Sequence, residues 1–377
     1  MEMLVGSDNL RDFLKDYKFT GNQGLLFERL DNRASLERFE VGGKHYFKYV
    51  NEYWTSKQRQ ANSLHEIAYR ACFKPQLPRF FIELFTRKND IVYDPFGGRG
   101  TTAIEAAILG RNVISNDINP LSRMLSYPRL LVPSIQSLNT RLKEIKVNEK
   151  AKADIDLSMF YHPKTEVEIV SLREYLRNKR ENGKEDDLNL WIRMVATNRL
   201  TGHSKGFFSV YTLPPNQAVS AQSQIKINLR MNQKPEYRDT KAIILKKSIE
   251  LVRDISDGLR KQLYEIAKSS QFLTRDARFT NEIETSSVSL TVTSPPFLDI
   301  VQYAGDNWLR SWFNDIDVQT IAESITMSKT LAEWSAVMGS VFDELYRITK
   351  KGGWVAFEAG EIRGGRIYLD EHIVPLG

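Results

Sequence analysis

Two short stretches carry residue types whose spacing suits chemistry. The first, Asp94-Pro95-Phe96-Gly97-Gly98-Arg99-Gly100-Thr101-Thr102, sets three glycines between a short apolar run and an Ala/Ile-rich helical pattern. Glycine lets a backbone turn tightly and approach a ligand, and the amides that open the next helix point at it. Asp117 lies 17 residues beyond Gly100, close to the roughly 20-residue offset at which a carboxylate binds ribose hydroxyls in a nucleotide site. The pair reads as a nucleoside-cofactor site, although the glycine spacing is not the GxGxxG of dehydrogenases. The second stretch is Thr293-Ser294-Pro295-Pro296-Phe297. Two prolines after an apolar run stop a sheet ladder and hold the backbone extended. Carbonyls freed there, with a hydroxyl before them and an aromatic ring after them, make a slot for a planar group bearing an amine.

The elements that must position these stretches follow from the apolar pattern. Helical patterns cover 62–71 and 78–87, split by the Pro75/Pro78 breaker. A strand at 90–93, the glycine turn, a helix over 101–109 closed by Gly110, a strand at 112–115 and then Asp117 form a βαβ unit. After Pro133 that rhythm stops. Charged helical patterns cover 134–153, 165–182 and 240–268, with an exposed break at 184–187. The α/β rhythm resumes near Phe272-Leu273, with a buried strand over 288–293, a helix over 330–349 and a strand over 354–357. The expected organisation is a lead-in over 1–60, an α/β domain over 61–133 and 270–377, and a mostly helical insert over 134–269.

Composition narrows the class. The chain has 377 residues, 41% hydrophobic and 27% charged, with one cysteine, Cys72, and a net charge of +6. That excludes a disulfide framework and any cysteine-rich zinc site, and no metal-ligand spacing occurs. No apolar run reaches the 18 residues or so of a membrane helix, so a reduced, cytoplasmic setting is expected. The charge is concentrated. Arg199, Lys205, Lys226, Arg230, Lys234, Arg238, Lys241, Lys246 and Lys247 are opposed only by Glu236 and Asp239, so 199–247 carries +7. With His203 and an Asn/Gln-rich run, NQAVSAQSQIKINLRMNQ, this suits a nucleic-acid surface. Basic side chains such as Lys205, Lys226, Arg230 and Lys234 would hold phosphates, and the amides would read base edges.

These motifs together resemble those of the amino-group DNA methyltransferases that depend on S-adenosylmethionine. Asp94–Thr102 is similar to that family's DPFxGxGTT cofactor loop, and Ser294–Phe297 to its catalytic SPP[YF] motif. His65–Thr86, with Phe73-Lys74-Pro75-Gln76-Leu77-Pro78, resembles the segment that closes over the methionine part. Asn116-Asp117-Ile118-Asn119-Pro120 resembles the ribose-binding strand end, and Arg275-Asp276-Ala277-Arg278 the loop whose carboxylate bonds the adenine amine. The resemblance implies a doubly wound, Rossmann-like sheet interrupted by a target-recognition insert. It implies a cofactor site of Lys74, Pro75, Asp94, Pro95, Phe96, Gly98, Gly100, Thr101, Thr102, Asp117, Asn119 and Asp276. Ser294, Pro295, Pro296 and Phe297 would be catalytic, and His203, Lys205, Lys226, Arg230 and Lys234 would meet duplex DNA.

Serine before Pro-Pro resembles the cytosine-N4 type more than the adenine-N6 type. Asp299, Tyr303 and Asp306 could line the pocket, whereas Tyr303, Trp308 and Trp312 are expected to pack their helix onto the sheet. A partner restriction endonuclease is implied by the family's habit. The family normally continues past the strand at 354–357 with a helix and an antiparallel strand pair, but 20 residues follow it here. C-terminal strands are therefore expected to be missing or supplied by another chain. The alternative readings are an adenine-N6 enzyme, an RNA guanine-N2 methyltransferase, and an inactive, truncated DNA-binding remnant.

Overall fold

The computed structural model describes residues 7–17, 34–54, 61–70, 72–213, 218–296, 303–324, 330–362 and 366–377. Ahead of the sheet lie a helix, Ser7–Asp16, and a hairpin of β1 (Ser35–Val41) and β2 (Lys44–Val50). The sheet comprises β3 (Ile91–Asp94), β4 (Asn112–Asn116), β5 (Gln271–Leu273), β6 (Val288–Thr293) and β7 (Thr349–Phe357). Its order is β5-β4-β3-β6-β7, and every pairing is parallel. A sheet of this kind is covered on both faces, so its strands must be apolar on both. All six residues of β6 are buried.

Alternation along the strands divides the core. Val92, Val113, Leu290 and Val292 face a cluster that includes Ile82, Ile104 and Leu263, from helices Gln76–Phe85, Thr101–Ile108 and Asp257–Ser269. Tyr93, Ile114 and Val288 face the other cluster, with Trp334, Met338, Val341 and Leu345 of helix Leu331–Ile348. The first cluster continues into the insert through Trp191, Ile192, Met194 and Val195 of helix Asp187–Arg199. The chain runs outward from β3 to β4 and β5, then crosses back to β6 on the other side of β3. Such a switch point opens a crevice at the carboxyl ends of the strands.

Three helical expectations need correction. Over 62–71 the described backbone forms only a single 3₁₀ turn, Ser63–His65. Its groups are met from afar instead: Arg129 donates to the Leu64 carbonyl at 3.0 Å, and Asn198 bonds both the amide and the carbonyl of Ala68, at 3.1 and 2.8 Å. The helix expected over 134–153 ends at Glu144. The one expected over 240–268 is two, Thr240–Leu251 and Asp257–Ser269, the second opened by a Ser256 cap on the Leu259 amide. Beyond β7, β8 (Glu361–Ile362) and β9 (Ile367–Tyr368) pair with each other, and helix Asp370–Leu376 packs on Leu331–Ile348. Among the described residues no strand pairs with the outer edge of β7. None of the described helices is long and apolar enough to cross a membrane.

Candidate functional site

The strand ends bring the two motifs together. Asp94 ends β3, and its buried Oδ1 accepts the Thr293 hydroxyl at 2.6 Å and the Phe96 amide at 3.1 Å. Thr293 ends β6, directly before Ser294. The cofactor-type loop and the catalytic-type turn are therefore joined across neighbouring strands by a bond to a carboxylate. Burial, against the bonds from Thr293, Phe96 and Thr102 and reinforced by the charge of Asp117, raises the Asp94 carboxyl to about 6.

The glycine loop is built from its own backbone. Gly98 (φ +51°) and Gly100 (φ +75°) are left-handed, and a Cβ at Gly100 would run into the Ser126 side chain and reach the Arg129 guanidinium. Only glycine meets both demands. From Gly100 the chain enters helix Thr101–Ile108, and Thr102 bonds the Val292 carbonyl of β6 at 3.1 Å. Asp117, just past β4, accepts the Gly98 amide at 2.8 Å and the Asn119 amide at 2.8 Å. Burial outweighs these bonds and raises Asp117 to about 6. The Asn119 side chain caps Leu121 at 3.0 Å.

Beneath the loop, the fully buried Arg129 donates to the carbonyls of Leu125, Leu64 and Arg99. Burial and the nearby Arg99 lower it to about 9. Arg99 reaches the Ile67 carbonyl at 3.2 Å and the Phe73 carbonyl at 3.5 Å, so the segment before Lys74 and the buried Pro75 lies against the loop. A buried network fixes the same segment: Glu105 bonds His65 at 2.7 Å and Arg79 at 2.5 Å. Burial resists the Glu105 charge, but His65 and Arg79 outweigh it and hold the carboxyl below its usual range.

The sequence reads Asn116 only as part of the strand end before Asp117, whereas the structure gives its side chain a joining role of its own. Its amide bonds the Pro95 carbonyl at 3.3 Å and both the carbonyl and the amide of Arg275, at 3.0 and 2.9 Å. One side chain thus staples the ends of β3, β4 and β5. The nearest signal was its place beside Asp117. Asp276, after β5, binds Arg278 at 2.6 Å, and that partner holds its carboxyl below its usual range. A cleft of about 760 Å³ opens here, lined by Ile118, Pro120, Met124 and Asp276 beyond β4 and β5 and by Arg180, Asp315, Ile316 and Ile321. That volume suits a nucleoside-bearing ligand. Ile118, the residue after Asp117, joins this cleft to the glycine loop that Asp117 anchors.

At the catalytic-type turn, Ser294 and Pro296 are half-buried and Pro295 is buried. The Pro296 carbonyl accepts the Trp334 indole N–H at 2.9 Å, a second contact that no local pattern announces. Phe297 and Asp299 lie outside the described residues, as does the Tyr303 side chain. Asp306 pairs with Arg70 at 2.6 Å. Trp308 and Trp312 pack on the insert rather than the sheet: Trp308 donates to the Val219 carbonyl at 3.2 Å and Trp312 to Asp154 at 2.5 Å. Burial pushes the Cys72 thiol up.

The basic stretch divides in two. Arg199, Arg238, Lys241 and Lys247 serve the fold: Arg199 lies over the Phe207 ring, Arg238 bonds carbonyls of the 204–209 loop, Lys241 bonds the Ile145 carbonyl, and Lys247 is held by Glu250. His203, Lys205, Lys226, Arg230 and Lys234 are exposed. The expectation that the amides face DNA is corrected for three of them. Gln224 and Gln233 donate to the Tyr211 carbonyl at 3.0 and 2.9 Å, and Asn228 to the Met159 carbonyl at 2.8 Å. Asn216 and Gln217 lie outside the described residues. Among the described residues no cluster of three metal-ligand side chains occurs.

The family model for N6/N4 DNA methylases matches residues 13–122. The chain is 33% identical over 170 residues to the Type II methyltransferase M.MvaI of Kocuria varians, which covers 40% of this chain and 37% of that protein. It is 35% identical over 121 residues to the Type II methyltransferase M.BsoBI of Geobacillus stearothermophilus, which covers 29% of this chain and 24% of that one. A third relative, M.MjaII of Methanocaldococcus jannaschii, is 32% identical over 91 residues, covering 24% of this chain and 17% of its own. The chain spans less than two-fifths of the length of the curated relatives it matches. With both motifs at the carboxyl ends of a five-stranded parallel sheet, the chain is similar over these residues to the N4/N6 amino-DNA methyltransferases, a family whose members take their methyl group from S-adenosylmethionine.

Proposed function

We propose that this chain methylates the exocyclic N4 of cytosine in duplex DNA. The observation that carries the reading is the Asp94–Thr293 bond of 2.6 Å, which sets a cofactor-type loop beside a serine-led Pro-Pro turn. Bound S-adenosylmethionine would supply an electrophilic methyl group on sulfur. The chain's residues supply position. Asp117 would accept the ribose hydroxyls, and the Gly98–Gly100 loop would let the backbone approach the cofactor. Lys74 and Pro75 would close over its methionine part, and Asp276 would meet the adenine amine once Arg278 yields.

The amine of cytosine is a weak nucleophile, because its lone pair is delocalised into the ring. The Ser294 hydroxyl and the Pro295 carbonyl would accept its two N–H groups, favour a more tetrahedral nitrogen and aim the lone pair at the methyl carbon. The Ser294 hydroxyl would also take the amine proton that methylation displaces and pass it to water. The target base must leave the stack to reach this turn, and Phe297 would stack on it. Exposed His203, Lys205, Lys226, Arg230 and Lys234 would hold the duplex. Carbon-5 chemistry would need an activated thiolate, whereas burial pushes the thiol of Cys72 up. The relatives are Type II methyltransferases, and we read this chain likewise as the modification half of a restriction–modification pair.

The test is incubation with plasmid DNA and labelled S-adenosylmethionine, followed by mass spectrometry of the nucleosides. N4-methylcytosine is the expected product. N6-methyladenine would overturn the choice of base and keep the family, while 5-methylcytosine would overturn the mechanism.

A further inference from the structure

The large cleft has one wall that no motif covers. Opposite Ile118, Pro120 and Met124 stand Ile316 and Ile321, in the stretch after helix Trp308–Phe313. What holds that wall is the insert. Asp315 has φ +54°, and three arginines from successive turns of helix Pro163–Glu181 converge on its carboxylate. The distances are 2.8 Å from Arg173, 3.7 Å from Arg177 and 3.0 Å from Arg180. The Arg173 side chain is 11% exposed and that of Asp315 19%, so the pair is poorly hydrated and weakly screened. Arg180 also donates to the Asn314 carbonyl at 2.9 Å. Buried Asn314 in turn donates to Thr197 of helix Asp187–Arg199 at 2.9 Å.

We propose that the insert sets the width of the cofactor cleft through Asp315, a positioning residue, and that Ile316 and Ile321 form the outer apolar wall against the cofactor's adenine. The inference rests on the proposed methyltransferase reading, in which S-adenosylmethionine occupies this cleft. Planar purines bind well between apolar faces, and a slot that is too wide loses contact on one side outright. Three arginine charges facing each other without Asp315 would repel. The corner would then move away from the insert helix and take Ile316 with it.

Asp315→Asn isolates this effect, because asparagine tolerates the left-handed backbone and removes only the charge. Calorimetry of the full chain would use two probes, S-adenosylmethionine and 5′-methylthioadenosine, which lacks the methionine part. Both should bind about tenfold more weakly, by the same factor, since a tenfold change corresponds to about 1.4 kcal/mol lost at the shared adenosyl end. The salt dependence of plasmid DNA binding should not move, which separates a cleft effect from a general loss of structure. Ile316→Ala, outside the ion cluster, should give the same pattern and carries the test if Asp315→Asn fails to fold. Wild-type affinity for both probes in both variants would overturn the inference and leave the methyltransferase reading standing. Failure of the unaltered chain to bind either probe would overturn that reading, and the inference with it.

Discussion

The corner around Gly98 and the exposed face around helix Ala221–Arg230 are built in opposite ways. The corner is made of backbone: left-handed glycines, amides on Asp117, and carbonyls on Arg129, all formed before any ligand arrives. The basic face is made of long side chains in water, with its amides turned inward to hold the helix in place. A backbone site fixes one shape and tolerates little change. A side-chain surface offers charge that can follow a phosphate backbone of any sequence. The first suits a constant small molecule, the second a long polymer whose register must be searched.

Gly100→Ala should have the largest effect. It adds a Cβ at φ +75° against Ser126, and strain of about 1–3 kcal/mol before any clash should weaken S-adenosylmethionine on the order of a hundredfold in calorimetry. Normal binding would mean the loop is not the rigid element described. On the other face, replacing Lys226, Arg230 and Lys234 together by alanine should lower the slope of log affinity against log salt by about 0.9 per lost phosphate contact. Cofactor binding should stay as it was. An unchanged slope would make these residues a solvated face only.

Asp117→Ala removes the proposed ribose acceptor and the anchor of the Gly98 amide. A charge-assisted bond is worth roughly 1.5–3 kcal/mol, so affinity should fall about tenfold or more. The gentlest test is pH. Asp117 titrates near 6 in the free protein, and ribose hydroxyls donate to its ionised form. Cofactor affinity should therefore be full above about pH 6 and fall by up to about tenfold per unit below it. Stability should respond with the opposite sign. Asp94 and Asp117 have folded values above the unfolded value of about 3.9, so their protonation favours the fold as pH drops from about 6 toward about 4. Thermal melts and titrations that both weaken on acidification would contradict this assignment.

What was legible in the sequence was local. The strands behind Asp94, Asp117 and Ser294 announce themselves through apolar runs stopped by glycine or proline, and their parallel order follows from the βαβ rhythm. The segment 62–70 misled because its apolar spacing is helical, while its backbone is satisfied by Arg129 and Asn198 from far along the chain. Gln224, Asn228 and Gln233 look like surface readers until their carbonyl partners are known. Charge counting likewise cannot separate Arg238, tied to loop carbonyls, from Arg230, which faces water. Asn116, Trp334 and Asp315 act through partners 38 to 159 residues away, a reach that no window along the sequence spans.

The core shared by the sheet and helix Asp187–Arg199 constrains how such a protein can change its target. Trp191 is fully buried, donates to Ser248 at 2.9 Å and lies in the same cluster as Val113, Leu125 and Leu130. Exchanging the whole insert with that of a relative would leave holes or clashes beneath the cofactor corner, so chimeras cut at its borders should be insoluble unless the buried face travels with them. If the exposed basic face holds DNA as proposed, new recognition would come more easily by drift at positions such as Lys226 and Arg230, one side chain at a time.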